Sequence, residues 1–485
     1  MTSPVPILNA PNQVVPDGIA NRIESLGTQI QSLATRQQEL ADLAGIAGKP
    51  EWSRLEIFQG YLAVGVVAFL ITLLTTPLIR RMAIANGVVD HPDERKMHRM
   101  PIAYLGGLAV FLGLMGAILF SYVATDPRFG GLITFHQTEH LESGGHPMGV
   151  PPWILLGITV IMLVGLLDDV MGIPPRVKVG GQLFAAAALA YGDVGVKVAQ
   201  GVLAPTLGKL MGNQDLTWVF DLGTNVPFIG SHLEVDLIYW AGTAVIAVFV
   251  LGACNASNLI DGLDGLLTGT TAITAAGLLV VALGLAMVDY GRLDTTRIVL
   301  CMALLGACLG FLPHNFNPAT IFLGDCGSLL LGFTTIVIIL TLGDLGQTFL
   351  VLAGLVIFAL PIIDTILAIV RRKMAGKKMS DPDSDHLHHM LKRALGVKGA
   401  VLTLYGFATL FALLGILISE TKARFVYALA LITISYITVY AIKIARKAHI
   451  EKQARDLMTP PTPSDPDGDA APATAQPSEP ETASV

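Results

Sequence analysis

About eleven apolar segments, each long enough to cross a bilayer, fill most of this 485-residue chain. Roughly 20 residues carry a helix across the hydrocarbon core, where every backbone N–H and C=O must be satisfied within the segment. The segments lie near 57–79, 104–124, 151–167, 178–198, 237–254, 265–288, 297–313, 327–342, 348–370, 400–419 and 424–443. Such a chain is expected to be an all-α polytopic membrane protein with about 11 transmembrane helices. Its charge content agrees: 14% of residues are charged, against about 25% in soluble domains. The net charge of −6 resides largely in the tails and argues for no nucleic-acid partner. The four cysteines, Cys254, Cys301, Cys308 and Cys326, lack metal-like spacing and read as small buried hydrophobes.

Two polar tails flank this core. Residues 1–56 contain Ile23, Leu26, Ile30, Leu33 and Leu40 at helical spacing, interrupted by Gln37. They predict a short amphipathic helix, either a weak coiled coil that would make a homodimer or a surface helix. No basic stretch precedes an apolar core there, so no cleaved signal peptide is expected. The transmembrane domain runs over 57–445. The tail, 446–485, becomes rich in Pro, Ala, Thr, Ser and acid from 452 onward and is expected to be disordered. Arg and Lys concentrate in alternate loops, among them Arg80, Arg81, Lys96, Arg176, Arg371, Arg372 and Lys447. The positive-inside rule makes these loops cytoplasmic, leaving the N-terminus outside and the C-terminus cytoplasmic. The stretch 200–235 alternates apolar and polar residues around Gly and Pro, and predicts a small outer β-hairpin.

Every dense cluster of acid, amide and histidine falls on the cytoplasmic side of this topology. The first is Asp90-His-Pro-Asp-Glu-Arg-Lys-Met-His98, which supplies Lys96 and His98. The second is Asp168-Asp169 at the end of the third span, with Lys178 and Gln182 opening the fourth. The third is Asn255-Ala-Ser-Asn-Leu-Ile-Asp-Gly-Leu-Asp-Gly265, carrying Asn255, Asn258, Asp261 and Asp264. The fourth, Asn315 to Ser328, ends in Gly324-Asp325-Cys-Gly-Ser328, and the fifth is His386-Leu-His-His389. Taken singly, several have plain readings. An Asp pair can end a helix, Gly324–Ser328 can be an Asx turn or a phosphate or metal site, and a histidine trio can be an exposed loop. Their recurrence on one membrane face points to function, because ionisable groups near lipid are costly.

Several carboxylates without a matching Cys/His set suit a hard, oxygen-seeking cation: Mg²⁺, with Mn²⁺ as the alternative. Mg²⁺ bridges carboxylates and substrate phosphates, while Lys, Arg and His hold the remaining phosphate charge. Metal-dependent phosphoryl-type transfer at the membrane surface is the matching chemistry. No Gly-x-x-x-x-Gly-Lys-Ser/Thr loop is present, so a P-loop site is excluded.

The five clusters, in this order, resemble the polyprenyl-phosphate N-acetylhexosamine-1-phosphate transferase family (glycosyltransferase family 4). The resemblance covers about residues 57–445 and rests chiefly on Asn255–Gly265 and on Asn-Phe-x-Pro-Ala…Gly-Asp-x-Gly-Ser. The His-x-His-His loop is closer to the WecA- and TagO-like branches than to the related MraY branch. The resemblance implies transfer of a sugar-1-phosphate from a UDP-N-acetyl sugar, N-acetylglucosamine by the histidine loop, to undecaprenyl phosphate, releasing UMP with Mg²⁺. It implies that Asp325 is the metal ligand, with Asp169 beside it, and that Asp168 and Asp169 stand at the reacting phosphates. Asp168 would accept the lipid phosphate's proton. Asn258, Asp261 and Asp264 would line the nucleotide site, Lys96 and Lys178 would bind phosphate, and His386, His388 and His389 would contact the sugar diphosphate. His98 and Asn255 complete the candidate substrate-binding set. The chain departs from the family at Pro101-Ile-Ala-Tyr104, where a second proline is common. It departs again at Asp383-Ser384, where Asp-Arg is common. The rival class is a transporter for an anionic sugar or lipid, but such proteins hold their sites near the midplane within internal repeats, and no repeat is found here.

Overall fold

The computed structural model describes residues 53–90, 101–125, 149–213, 215–226, 230–288, 293–344, 346–374 and 386–420, with six isolated helical positions between Phe425 and Ile450. Helix α1 (Arg54–Ala85) opens on a capping box in which Ser53 and Glu56 satisfy each other's backbone amides. Then come α2 (Gly106–Thr125), α3 (Pro152–Met171) and α4 (Pro175–Tyr191), followed by short helical turns from Val196 to Met211. Next are α5 (Leu237–Ile260), α6 (Leu266–Val288), α7 (Asp294–Asn315), α8 (Gly324–Thr341), α9 (Thr348–Ile357), α10 (Ala359–Met374) and α11 (Leu387–Ser419). A two-residue pairing joins β1 (Val89–Asp90) to β2 (Ile102–Ala103). Strands β3 (Thr217–Val226) and β4 (Gly230–Asp236) form the expected hairpin, antiparallel from Thr217↔Asp236 and irregular between Asp221 and Val226.

Eight of these helices are long and apolar enough to span a membrane. The chain is a multi-pass, all-α membrane protein. Two expected spans are bent. Over 178–198 the chain turns by 81° after α4, where Gly192 ends the helix and Asp193 and Gly195 take positive φ. Over 348–370, α9 and α10 meet at 78°. There Pro361 has no N–H to return to the carbonyl of Ile357, so one continuous helix is interrupted. Counting each bent pair as one span gives up to ten among the described residues. The eleventh expected span, 424–443, lies outside them except for Phe425, Ala428, Ile432, Ser435 and Val439, as do the amphipathic helix of the N-terminal extension and most of the tail.

Helix α8 is the axis of the bundle. Within its span 94% of residues are buried, and α2, α3, α5, α6 and α7 pack around it. The core is filled by Tyr61, Phe311 and Phe333, whereas Leu70, Leu74 and Leu78 of α1 and Leu410, Leu413 and Leu417 of α11 face outward. An outward apolar stripe is what a lipid-facing helix requires. Glycines permit the closest approaches: a Cβ on Gly107 or Gly165 would overlap the backbone of α8 at Cys326 and Gly327. Because successive helices alternate in direction, the ends of α3, α5 and α7 and the starts of α4, α6, α8 and α11 gather at one end of the bundle.

Candidate active site

The site is built on the first turn of α8. Gly324 takes φ +73°, and a Cβ there would run into the Asp169 carboxylate. Leu323, the residue before α8, offers no side-chain cap. Asp169 supplies it from α3: its two oxygens accept the amides of Asp325 at 2.8 Å and Cys326 at 2.9 Å. A carboxylate at that position also complements the positive end of the helix. The segment leading into α8 is stitched to α2, since Gly106 N donates to Phe322 O (2.9 Å) and Gly107 N to Leu323 O (2.8 Å).

So held, the Asp325 side chain sits in a chain of polar contacts. Its Oδ2 accepts from Lys178 Nζ at 2.6 Å, and its Oδ1 from Asn258 Nδ2 at 2.8 Å. Asn258 Nδ2 also reaches Ser328 Oγ at 3.0 Å. Lys178 pairs simultaneously with Asp168 Oδ2, so one ammonium bridges two carboxylates. The other oxygen of Asp168 accepts from Ile173 N at 3.1 Å, fixing the turn between α3 and α4. Four helices thus converge on one carboxylate.

Beside it opens a cavity of about 530 Å³, lined among others by Asp90, Tyr104, Asn258, Asp261, Asp264, Asn317, Asp325, His389 and Lys392. Asp264 Oδ2 accepts from Asn317 Nδ2 (2.8 Å) and Ala319 N (3.0 Å), tying the α5–α6 loop to the α7–α8 loop. Burial, reinforced by the negative charges of Asp325, Asp169 and Asp264, pushes the Asp261 carboxyl up to about 8. Burial and the neighbouring Asp90 raise the Tyr104 phenol above its ordinary value.

The structure therefore gathers Asp168, Asp169, Lys178, Asn258, Asp261, Asp264, Asp325 and His389 at one end of the bundle. Lys96 and His98 lie outside the described residues. Asn255 is turned away from the cavity: its Nδ2 donates to Gln182 Oε1 (3.1 Å) and Leu251 O (2.7 Å). The histidines divide. His389 lines the cavity, whereas His386 and His388 are buried against Asp364 of α10. Asp364 escaped the sequence reading, although it is the single acid within the apolar segment 348–370. That isolation was the available signal.

The donor set fits a hard cation. When ionised, Asp168, Asp169 and Asp325 bring three negative charges, Lys178 offsets one, and the set is left at −2; burial raises the Asp169 carboxyl to about 7, which a bound cation would oppose. Its ligating atoms are oxygens, with neither imidazole nor thiolate among the contacts to Asp325. Oxygen donors in this number match Mg²⁺ or Mn²⁺ rather than Zn²⁺.

The family model described as Glycosyl transferase family 4 matches residues 152–343, which carry the second, third and fourth clusters. A Bacillus subtilis protein named "Probable undecaprenyl-phosphate N-acetylglucosaminyl 1-phosphate transferase" is 31% identical over 361 residues, covering 73% of this chain and 85% of its own length. The decaprenyl-phosphate N-acetylglucosaminephosphotransferase of Mycobacterium tuberculosis is 34% identical over 343 residues, 68% of this chain and 74% of the relative. A phospho-N-acetylmuramoyl-pentapeptide-transferase of Bacillus cytotoxicus is 30% identical over 373 residues, 74% of this chain and 98% of the relative. With a matching profile over the site and relatives aligned along most of their length, the chain belongs to glycosyl transferase family 4, the polyprenyl-phosphate N-acetylhexosamine-1-phosphate transferases.

Proposed function

We propose that this protein transfers N-acetylglucosamine-1-phosphate from UDP-N-acetylglucosamine to a polyprenyl phosphate, undecaprenyl phosphate, releasing UMP. The product, a polyprenyl-diphosphate sugar, opens a cell-envelope glycan pathway. The observation that carries the reading is the convergence of Asp168, Asp169, Lys178, Asn258 and Asp325 from four helices beside one polar cavity. The names of the relatives favour N-acetylglucosamine as the sugar and polyprenyl phosphate as the acceptor. The basic loops favour a cytoplasmic site, with the N-terminus outside, in the inner cell membrane.

The chemistry is a single in-line displacement, in which the lipid phosphate oxygen attacks the β-phosphorus and UMP leaves. A divalent cation, Mg²⁺, held by Asp325 with Asp169 beside it, would offset the diphosphate's charge. Lys178 would hold phosphate oxygens while offsetting the repulsion between Asp168 and Asp325, which it bridges. Asp168 would orient the attacking phosphate and take its proton where one remains. A phosphate monoester has its second pKa at about 6, so most acceptor is already dianionic at neutral pH and positioning dominates. Asp261, Asp264 and Asn317 would line the nucleotide end of the cavity, and His389 and Lys392 the sugar-diphosphate end.

The test is UMP release by purified protein with undecaprenyl phosphate, Mg²⁺ and a panel of UDP-N-acetyl sugars, omitting each component in turn. Release that needs all three components and favours UDP-N-acetylglucosamine is expected. The proposal is overturned if no donor yields UMP, or if release ignores the lipid. Exchange of labelled UMP into the nucleotide-sugar without lipid would replace the single step by a covalent intermediate. Asp325→Asn should abolish turnover while the protein remains inserted.

A further inference from the structure

The histidine loop faces the cavity with one ring only, and something outside the loop must fix that choice. Helix α11 has non-helical angles at Gly396 (φ 72°, ψ 177°). Its first segment, Leu387 to Leu395, is therefore not held in direction by the long span that follows. Its N-cap residue, His386, makes no side-chain cap either. Both deficits are met by one residue of another helix. Asp364 of α10 is 1% exposed, and its Oδ1 accepts the Leu387 amide at 2.9 Å. Its Oδ2 lies 3.0 Å from His386 Nδ1 and 3.8 Å from His388 Nδ1. The His386 and His388 rings stack at 5.4 Å, and His388 lies 4.3 Å from His389 between centroids. His388 Nε2 presses on Gly262, where an added Cβ would overlap it. The clasp thus also bears on the loop that carries Asp261 and Asp264.

We propose that Asp364 is a positioning residue for nucleotide-sugar binding: it caps the first turn of α11 from α10 and seats His386 and His388, so that His389 and Lys392 point into the cavity. His389 and Lys392 are three residues apart and share a helix face, and both line the cavity. Rotating or fraying this one turn would withdraw both at once. The sign of the effect follows. Donor binding weakens, while the Asp325 cluster on α8, built from other helices, keeps its geometry. This rests on the transferase reading for its kinetic arm but not for its structural one.

Asp364→Ala is expected to raise KM for UDP-N-acetylglucosamine about 10- to 100-fold, the scale of an ångström-level misplacement. The kcat should stay within about threefold, and the lipid KM and Mg²⁺ requirement should not move. His386→Asn with Asp364 intact, whose amide can donate to Asp364 where the ring N–H did, should retain a KM within about threefold of wild type. The arm independent of activity places a spin label at Lys392→Cys, the native cysteines being buried. The label should be immobile with Asp364 present and mobile in Asp364→Ala. Unchanged label mobility overturns the clasp even if wild-type protein releases no UMP. A fall in kcat with KM constant overturns the positioning role. Asp364, His386 and His388 also bring three ligand atoms within 4.8 Å. Stoichiometric transition metal in the purified protein, lost in Asp364→Ala, would overturn a hydrogen-bonded clasp in favour of a metal one.

Discussion

Replacing Asp169 by Asn tests whether the active carboxylate is held by a borrowed helix cap. In the native site both oxygens of Asp169 accept backbone amides of α8, at 2.8 and 2.9 Å. Hydrogen bonds to a charged group contribute about 1.5–3 kcal/mol each, and a negative charge at a helix N-terminus adds roughly 0.3–1 kcal/mol. Asn keeps one oxygen, so one neutral bond of about 1 kcal/mol survives, while its NH₂ faces an amide donor it cannot accept. The first turn of α8 therefore loses about 2–6 kcal/mol of support. If that loss falls on the placement of Asp325, each 1.36 kcal/mol is about a tenfold change in rate. The expectation is a kcat lower by at least roughly 30-fold and up to about 10⁴-fold, with the purified protein still monodisperse. Single-turnover UMP release at saturating donor and lipid measures it, repeated across a Mg²⁺ titration. A kcat within twofold of wild type would refute the reasoning. Full recovery at high Mg²⁺ would refute it differently, by making Asp169 a ligand whose cap bonds contribute little.

Lys178→Met removes the ammonium shared by Asp168 and Asp325. Steady-state kcat/KM should fall about 10²- to 10³-fold, with Lys178→Arg recovering part of it; equal activity of Met and wild type would count against the bridge. Asp261 has its folded-state pKa raised to about 8, against about 3.9 unfolded. The stability from its bound proton is full below about 4 and is lost as pH rises to about 8. Asp261→Asn should therefore raise the melting temperature more at pH 8.5 than at pH 5.5, and the reverse order would contradict that sign. Arg297 forms a buried pair with Asp294 and donates to Thr341 O at 2.9 Å, far from the cavity. Arg297→Leu removes the cation paired with the buried Asp294, and breaking a buried pair from one side costs about 3–5 kcal/mol. It should lower the detergent melting temperature sharply without changing KM, and an unchanged melting temperature would sink this account.

Spans were legible because an apolar run of about 20 residues is a local property. Their bends were not, since Pro361 interrupts a helix only given where its acceptor lies, and the break after Tyr191 depends on backbone angles at Asp193 and Gly195. The site shows the same division. Asp168 and Asp169 could be found as a pair, but adjacent helical residues point about 100° apart. One turns to Lys178 and the other under α8. Nothing in the sequence distributes those tasks. His386, His388 and His389 looked alike for the same reason, and they separate through Asp364, 22 positions before the first of them. Asn255 looked like a site residue by proximity to Asn258, yet its amide is engaged by Gln182 and the Leu251 carbonyl. Chemistry-bearing types were readable, whereas the face each one presents is a property of packing.

Charge alone dictates an order of binding. Asp90, Asp168, Asp169, Asp261, Asp264 and Asp325 stand against Lys178 and Lys392 among the described residues at or beside the cavity. Six minus two leaves −4 when every acid is ionised, and −3 when Asp261 keeps the proton that its raised pKa favours. A diphosphate approaching such a site is repelled unless a cation arrives before or with it, and in a partly desolvated cavity that repulsion is weakly screened. The same acids that suit the site to a divalent ion thus make the ion a condition for donor binding as well as for turnover. UDP binding followed by calorimetry should be at least tenfold weaker in EDTA than in Mg²⁺. Asp325→Asn should narrow that difference by weakening the Mg²⁺-dependent binding and easing the repulsion. Equal UDP affinity with and without the cation would mean that lysines and the α8 N-terminus suffice to hold the diphosphate, and the acids would then need another role.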